Sequence, residues 1–151
     1  GDAGSMLIGF AIAWYAVRLS QNPSHPVSPV LGPWTLAIPL IDCTVLMVRR
    51  WRQGRSPFSA DRNHLHHMLL DAGYSAAAIA FGLAVLSLLL GLGAAVAIKL
   101  GIYRPLLVLL FIALWFAYYA LTVDRDRAVR VFRAIHPGRR RLSQPLPAPY
   151  P

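Results

Sequence analysis

A short polar block at residues 54–67 carries most of the side chains in this chain that could do chemistry. Its candidate ligand-binding side chains are Arg55, Arg62, Asn63, His64, His66 and His67. Long apolar stretches flank the block, and such polar groups are too strongly hydrated to lie in hydrocarbon. We therefore expect the block to lie in water at a membrane surface. Clustered cations and imidazoles are suited to binding an anion, and we first expect a phosphate-rich ligand.

The same block predicts an amphipathic helix over residues 61–72, which carry apolar side chains at helical spacing before Gly73 stops the helix. On such a helix His64 and His67 are three residues apart and project together, while His66 points elsewhere. We expect the helix to rest on the membrane surface. Its free N-terminal amides and the positive end of its dipole would help the imidazoles to bind a pyrophosphate.

Two other interpretations of the histidines stay open. A zinc site is disfavoured, because the run has no Cys or nearby Glu and lacks the usual ligand spacing. Surface histidines beside arginines that only set the membrane orientation would need no ligand at all.

Two aspartates are further candidates. Asp2 precedes an apolar helix, where its carboxylate could hold Mg²⁺ together with water and substrate phosphate, or could simply cap the helix. Asp42 lies inside an apolar run, where an ionisable group usually faces a partner or a polar pathway. We expect it to shape a cleft, pair with an arginine or contact a neighbouring helix, and we do not expect it to be catalytic.

The composition indicates a membrane protein. The 151 residues are 56% hydrophobic and carry a net charge of +9, and their mean hydropathy is +0.50. The cations bunch between apolar runs instead of spreading over amphipathic faces, so nucleic acid is not an expected partner. The single cysteine, Cys43, allows no disulfide within the chain. The start of the chain is not a signal peptide, and the sequence looks like part of a longer protein.

Four apolar stretches predict an all-α, polytopic membrane bundle, with spans near residues 3–19, 30–48, 76–98 and 106–123. Pro33 and Pro39 are expected to break the second span. Arginines gather in the loop at 49–74 and after residue 123, so both segments are expected on the cytoplasmic side, with Arg49 and Arg50 as orientation determinants. Residues 1–123 would form the membrane domain and residues 124–151 a basic, Pro-rich cytoplasmic tail, disordered from Pro137 onward.

Three motifs in this order resemble a known family. They are Gly-Asp-Ala-Gly-Ser at residues 1–5, Pro-Leu-Ile-Asp at residues 39–42 followed by Arg49 and Arg50, and the long run from Ser56 to His67. Together the motifs extend over about half of the chain, and the last is the most specific. The chain resembles the C-terminal part of polyprenyl-phosphate N-acetylhexosamine-1-phosphate transferases, closest to the branch that acts with GlcNAc-1-phosphate on undecaprenyl phosphate.

The resemblance implies a reaction, partners and a location. A polyprenyl phosphate would attack a UDP-N-acetylhexosamine, UMP would leave, and the lipid product would initiate cell-wall or lipopolysaccharide glycans. Asp2 would hold Mg²⁺, for which Mn²⁺ can substitute, and Asp2, His64, His66 and His67 would be catalytic. Arg62 is a phosphate contact by location. The enzyme would lie in the bacterial cytoplasmic membrane with its active face and C-terminus in the cytoplasm, and a homo-oligomer is compatible with it.

The chain differs from the family on the N-terminal side of the Gly-Asp-Ala-Gly-Ser motif. Members carry an aspartate pair and further Asn and Asp motifs before the Gly-Asp-x-Gly-Ser segment, and these are not in the sequence. We therefore expect the 151 residues alone to be inactive. Alternatives are an enzyme that uses UDP-MurNAc-pentapeptide, a non-catalytic membrane module that binds a partner or anionic lipid, and, less favoured, a metal transporter that uses Asp42 and the histidines.

Overall fold

A computed structural model describes residues 2–24, 27–58 and 64–136, with backbone alone for residues 2–6 and 8. Every regular element in these ranges is an α-helix, as the sequence predicts. The helices are α1 (Asp2–Ser20), α2 (Leu31–Thr35), α3 (Ala37–Arg52), α4 (Leu65–Asp71), α5 (Ala76–Lys99), α6 (Arg104–Thr122) and α7 (Arg125–Ile135).

Two helices in the described part of the chain, α5 and α6, are long and apolar enough to cross a membrane. Their bounds lie within two residues of the predicted spans at 76–98 and 106–123. Most of their side chains are not buried inside the protein, so apolar surface faces outward as lipid contact requires. Both helices support a membrane protein, while the crossings predicted near 3–19 and 30–48 stay predictions.

The predicted break in the second apolar stretch is confirmed at one proline and wrong at the other. α2 and α3 are separated at Leu36, whose backbone leaves the helical region with φ −106° and ψ 20°. Pro39 explains the break, because it has no N–H for the Thr35 carbonyl and its ring crowds that oxygen. Pro33 lies inside α2 without interrupting it, in the first turn, where a missing N–H is harmless.

The helix predicted over 61–72 is shorter in the structure. α4 begins at Leu65, and His64 precedes it as an N-cap residue with an extended backbone, φ −68° and ψ 153°. Residues 59–63 lie outside the described part of the chain. Gly73 has φ +100° and follows the last turn, so the predicted stop is confirmed.

The segment predicted as a basic tail contains a helix. Asp124 caps α7 by accepting a hydrogen bond from the Arg127 amide at 3.1 Å. Ala128 and Val129 are buried against Met68 and Ala72 of α4, and Tyr74 and Phe132 pack beside them. The buried face of α4 is therefore covered by α7, while the expectation that the helix rests on the membrane surface stays a prediction. The disorder predicted from Pro137 onward lies outside the described residues.

The chain divides into two compact units. The first comprises residues 1–37 and 87–111, and in it Trp34 and Phe111 make an edge contact with ring centroids 5.6 Å apart. In the same unit Gly91 lets α5 approach α2, since a Cβ there would lie 3.2 Å from Cγ2 of Thr35. The second unit comprises residues 38–86 and 112–151 and contains the histidine run.

Candidate anion-binding site

Asp42, inside α3, is the centre of the polar contacts in the second unit. Its Oδ2 lies 3.1 Å from Nδ1 of His64, and its Oδ1 accepts from the Leu65 amide at 3.1 Å. Oδ1 also accepts from the Tyr118 hydroxyl of α6 at 2.5 Å. One carboxylate thus joins α3, α6 and the start of α4.

These contacts identify the hydrogen-bond partners of Asp42. The expected contact with a neighbouring helix is confirmed, because Tyr118 belongs to α6. The partners of the carboxylate are an imidazole, a backbone amide and a phenol. A carboxylate oxygen accepts hydrogen bonds, so the contact places a proton on Nδ1 of His64. Nε2 is then the His64 nitrogen left for another partner.

The three histidines form one cluster. The rings of His64 and His66 are nearly parallel, 16° apart with centroids at 5.7 Å, and the rings of His66 and His67 have centroids 4.2 Å apart. The prediction that His66 points away from the other two is therefore wrong. The helical spacing behind it does not apply, because His64 is extended and precedes the helix.

His66 is the exposed member of this cluster. Partial burial lowers the pKa of His66 below its ordinary value, and charge on His67 and then His64 lowers it further, while Asp42 acts in the opposite direction. At neutral pH His66 is therefore a largely uncharged imidazole with one N–H to donate.

The start of α4 differs from the predicted pyrophosphate site. The Leu65 amide donates to Asp42, and the His67 amide donates to the His64 carbonyl at 3.0 Å. Both N–H groups are therefore occupied within the protein. The Asp42 carboxylate also takes the place that an anion would occupy beside the helix dipole. The rings of His66 and His67 remain as N–H donors for a ligand.

The arginines of the preceding loop have different surroundings. Arg49 and Arg50 are both buried, and Nη1 of Arg50 donates to the Pro57 carbonyl at 2.7 Å. Arg50 therefore connects the end of α3 to the loop, and its expected role in membrane orientation stays a prediction. Arg55 is exposed, next to the turn at Gly54 with φ +71°.

Three predicted site residues are not placed by side-chain geometry. Arg62 and Asn63 lie outside the described residues, and Asp2 begins α1 with only its backbone described. Asp2 belongs to the first unit and the histidines to the second, so their convergence stays a prediction. Within the described ranges, no group of three or more His, Cys, Asp or Glu side chains is arranged to hold a metal ion.

The far end of α4 is held by α7. Arg125 donates to the Asp71 carboxylate, and Arg133 donates to the Asp71 carbonyl at 2.9 Å. The Tyr74 hydroxyl, just past α4, donates to the Phe132 carbonyl at 3.3 Å. Both ends of the short histidine helix are thus fixed by other elements.

Sequence reasoning missed Tyr118 and this role of α7. Tyr118 was visible only as one aromatic residue near the end of an apolar span. α7 carried a signal, because Asp124 is a suitable cap and Ala128, Val129 and Phe132 recur at helical spacing.

Curated proteins similar to this chain share one description. An undecaprenyl-phosphate alpha-N-acetylglucosaminyl 1-phosphate transferase of Escherichia coli (strain K12) is 40% identical over 145 residues, which are 94% of this chain and 38% of that protein. The protein of the same name from Pasteurella multocida (strain Pm70) is 41% identical over 152 residues, 95% of this chain and 40% of that protein. The chain is homologous to part of these transferases.

The resemblance predicted from the motifs is thereby confirmed. A third transferase of this name, from Escherichia coli O157:H7, is 51% identical over 75 residues, 50% of this chain and 20% of that protein. The chain spans about two fifths of the length of the first two transferases. No protein-family model and no solved structure matches it.

Proposed function

We propose that this chain is part of an enzyme that transfers GlcNAc-1-phosphate from a UDP-sugar to undecaprenyl phosphate. An oxygen of the lipid phosphate would form a bond to the β-phosphorus of the donor, the bond from that phosphorus to UMP would break, and a sugar-pyrophosphoryl lipid would remain. The observation that carries the proposal is the 40% identity along 94% of the chain with transferases named for this lipid acceptor.

The histidine cluster is proposed to hold the diphosphate of the nucleotide sugar. Nε2 of His64 takes no part in the contact with Asp42, and the His66 ring lies between the His64 and His67 rings. The N–H groups of His66 and His67 would donate to phosphate oxygens and stabilise charge that builds up as UMP leaves. Nε2 of His64, whose ring proton is on Nδ1, would accept a hydrogen bond from the substrate. Arg55 and, by motif, Arg62 and Asn63 are proposed as further contacts to this substrate.

Magnesium, with manganese as a substitute, is proposed as the cofactor, and Asp2 as its carboxylate ligand. When bound, the cation would neutralise charge on the diphosphate. Asp42 is a poor ligand for it, because its two oxygens already accept from His64, Leu65 and Tyr118.

The proposed setting is the bacterial cytoplasmic membrane. The loop at 49–74 and the C-terminal segment would face the cytoplasm, where UDP-sugars are available, and the exposed apolar surfaces of α5 and α6 would contact lipid. The product would initiate a cell-surface glycan. The 151 residues alone are proposed to be inactive, because the family motifs that precede residue 1 are absent from them.

The test uses the complete protein that contains this segment, purified in detergent with undecaprenyl phosphate and radiolabelled UDP-GlcNAc. Release of UMP together with labelled lipid is expected, and EDTA should abolish both until Mg²⁺ is added back. His66→Ala and His67→Ala should each lower turnover by about 100-fold. His136→Ala, a histidine outside the cluster, is the matched control and should retain activity. Product formation by the cluster variants at the wild-type rate would show that the histidine cluster does not hold the diphosphate. No product from the complete protein would favour a non-catalytic membrane module.

A further inference from the structure

We propose that Asp42 is a positioning residue for the histidine cluster, fixing the ring and the tautomer of His64 and the start of α4. The inference rests on the proposed function, because it assigns a role within the same site. Asp42 itself would not touch the substrate. It would act through His64, and its effect would extend to the rings stacked beside His64.

The first argument is how the carboxylate is used. Oδ2 contacts the His64 ring while Oδ1 contacts the amide of the next residue, Leu65, both at 3.1 Å. A ring and a backbone group held by one rigid carboxylate cannot turn independently of each other. The contact thus determines both where His64 points and which nitrogen carries the proton.

The second argument is that Asp42 is itself held. Its side chain is 15% exposed, and the Tyr118 hydroxyl donates to Oδ1 from α6. One turn earlier on α6, Nε1 of Trp115 donates to Oγ1 of Thr44 at 2.8 Å. This second contact also joins α6 to α3, but it lies two residues beyond Asp42 and does not touch the carboxylate. Because Tyr118 fixes the orientation of the Asp42 carboxylate, the carboxylate in turn fixes the positions of the His64 ring and the Leu65 amide.

The third argument concerns the neighbouring rings. His66 lies between His64 and His67, with centroid distances of 5.7 Å and 4.2 Å. A change in the His64 ring therefore displaces its neighbour. Because α4 also begins at the amide bound to Asp42, loss of the carboxylate would loosen the backbone that carries all three histidines.

Asp42→Asn is the informative variant. The asparagine amide keeps the size of the side chain and can still accept from Leu65, but its NH₂ group would donate to His64, moving the ring proton from Nδ1 to Nε2. In the complete enzyme we expect kcat to fall by about 10–100-fold with little change in the KM for UDP-GlcNAc. Asp42→Glu, which restores an acceptor, should recover part of the loss, and Tyr118→Phe should lower kcat less than Asp42→Asn.

Thr44→Val is the matched control, since it removes the contact with Trp115 two residues from Asp42 and leaves the carboxylate intact. Its kcat should stay within about twofold of the wild type. The second readout is ¹⁵N NMR of histidine-labelled protein, with the His64 signal assigned by its loss in His64→Gln. The wild type should show the Nδ1–H form of His64, and Asp42→Asn the Nε2–H form.

The outcomes separate the two proposals. Wild-type kcat in folded Asp42→Asn, or an Nδ1–H tautomer that persists in it, would overturn the positioning role. A complete protein with no transferase activity overturns the proposed function, while the NMR comparison still tests Asp42. If Asp42→Asn does not fold, Tyr118→Phe with wild-type kcat and an unchanged His64 signal counts against the proposal.

Discussion

Arg125, the first residue of α7, donates to the carboxylate of Asp71, the last residue of α4, although 54 positions separate them in the chain. Their side chains are 18% and 21% exposed, so the pair lies partly inside the protein. Water screens a partly buried charge pair less than an exposed one, and removal of one partner leaves the other charge unpaired. The basic segment after α6 is thereby tied to the helix that carries the histidines.

Loss of this ion pair should loosen α4. Asp71→Asn keeps the size of the side chain and removes its charge, which should lower the free energy of unfolding by about 1–3 kcal/mol. Hydrogen exchange of the α4 amides should become faster. The control is Asp126→Asn, an exposed acid on α7. Equal exchange rates in both variants would show that the pair does not hold α4.

The packing of α4 on α7 should depend on one large side chain. Met68 is fully buried between the two helices, so Met68→Ala leaves a cavity and should destabilise the protein by about 2–5 kcal/mol. Leu70 on the same helix is 42% exposed, and Leu70→Ala should cost about 1 kcal/mol or less. Thermal unfolding in detergent compares the two variants, and similar losses would contradict this packing.

His66 should titrate at a lower pH than an ordinary histidine. Partial burial favours its neutral form, and the neighbouring imidazoles add repulsion when they are charged. His67→Gln removes the larger of these repulsions, so the pKa of His66 should rise toward the ordinary value. NMR titration of both proteins measures the shift. A His66 pKa that stays the same or falls in the variant would refute the charge coupling.

The proposed convergence of Asp2 with the histidines requires both on one side of the membrane. Cysteines at positions 2 and 66, introduced singly into the complete protein with Cys43→Ser and without other reactive thiols, should react with an impermeant maleimide only from the cytoplasmic face. Intact and inverted vesicles provide the two faces. Labelling of the two positions from opposite faces would exclude a shared site.

Much of the backbone could be predicted from local patterns. The bounds of α5 and α6 follow from uninterrupted apolar runs, and Gly73 ends α4 because a glycine readily adopts its positive φ. The break before Pro39 likewise follows from the neighbouring residues alone. Each of these features depends on interactions within a few positions of the chain.

The contacts of the site could not be predicted in the same way. Asp42 contacts His64 and Tyr118, which are 22 and 76 positions away in the chain. A local sequence pattern does not show which distant side chains come into contact when the chain folds. The prediction for His66 is wrong because it assumed helical spacing from His64, and His64 has an extended backbone and precedes α4. The C-terminal segment combines a positive charge, which is typical of a solvated tail, with the apolar spacing that forms α7.

The contact between Nδ1 of His64 and Asp42 limits what the His64 ring can bind. In the neutral ring Nε2 carries a lone pair, which repels an anionic oxygen and accepts a hydrogen bond. His64 would therefore face a hydroxyl or an amide of the nucleotide sugar, and the phosphate oxygens would contact the other two rings.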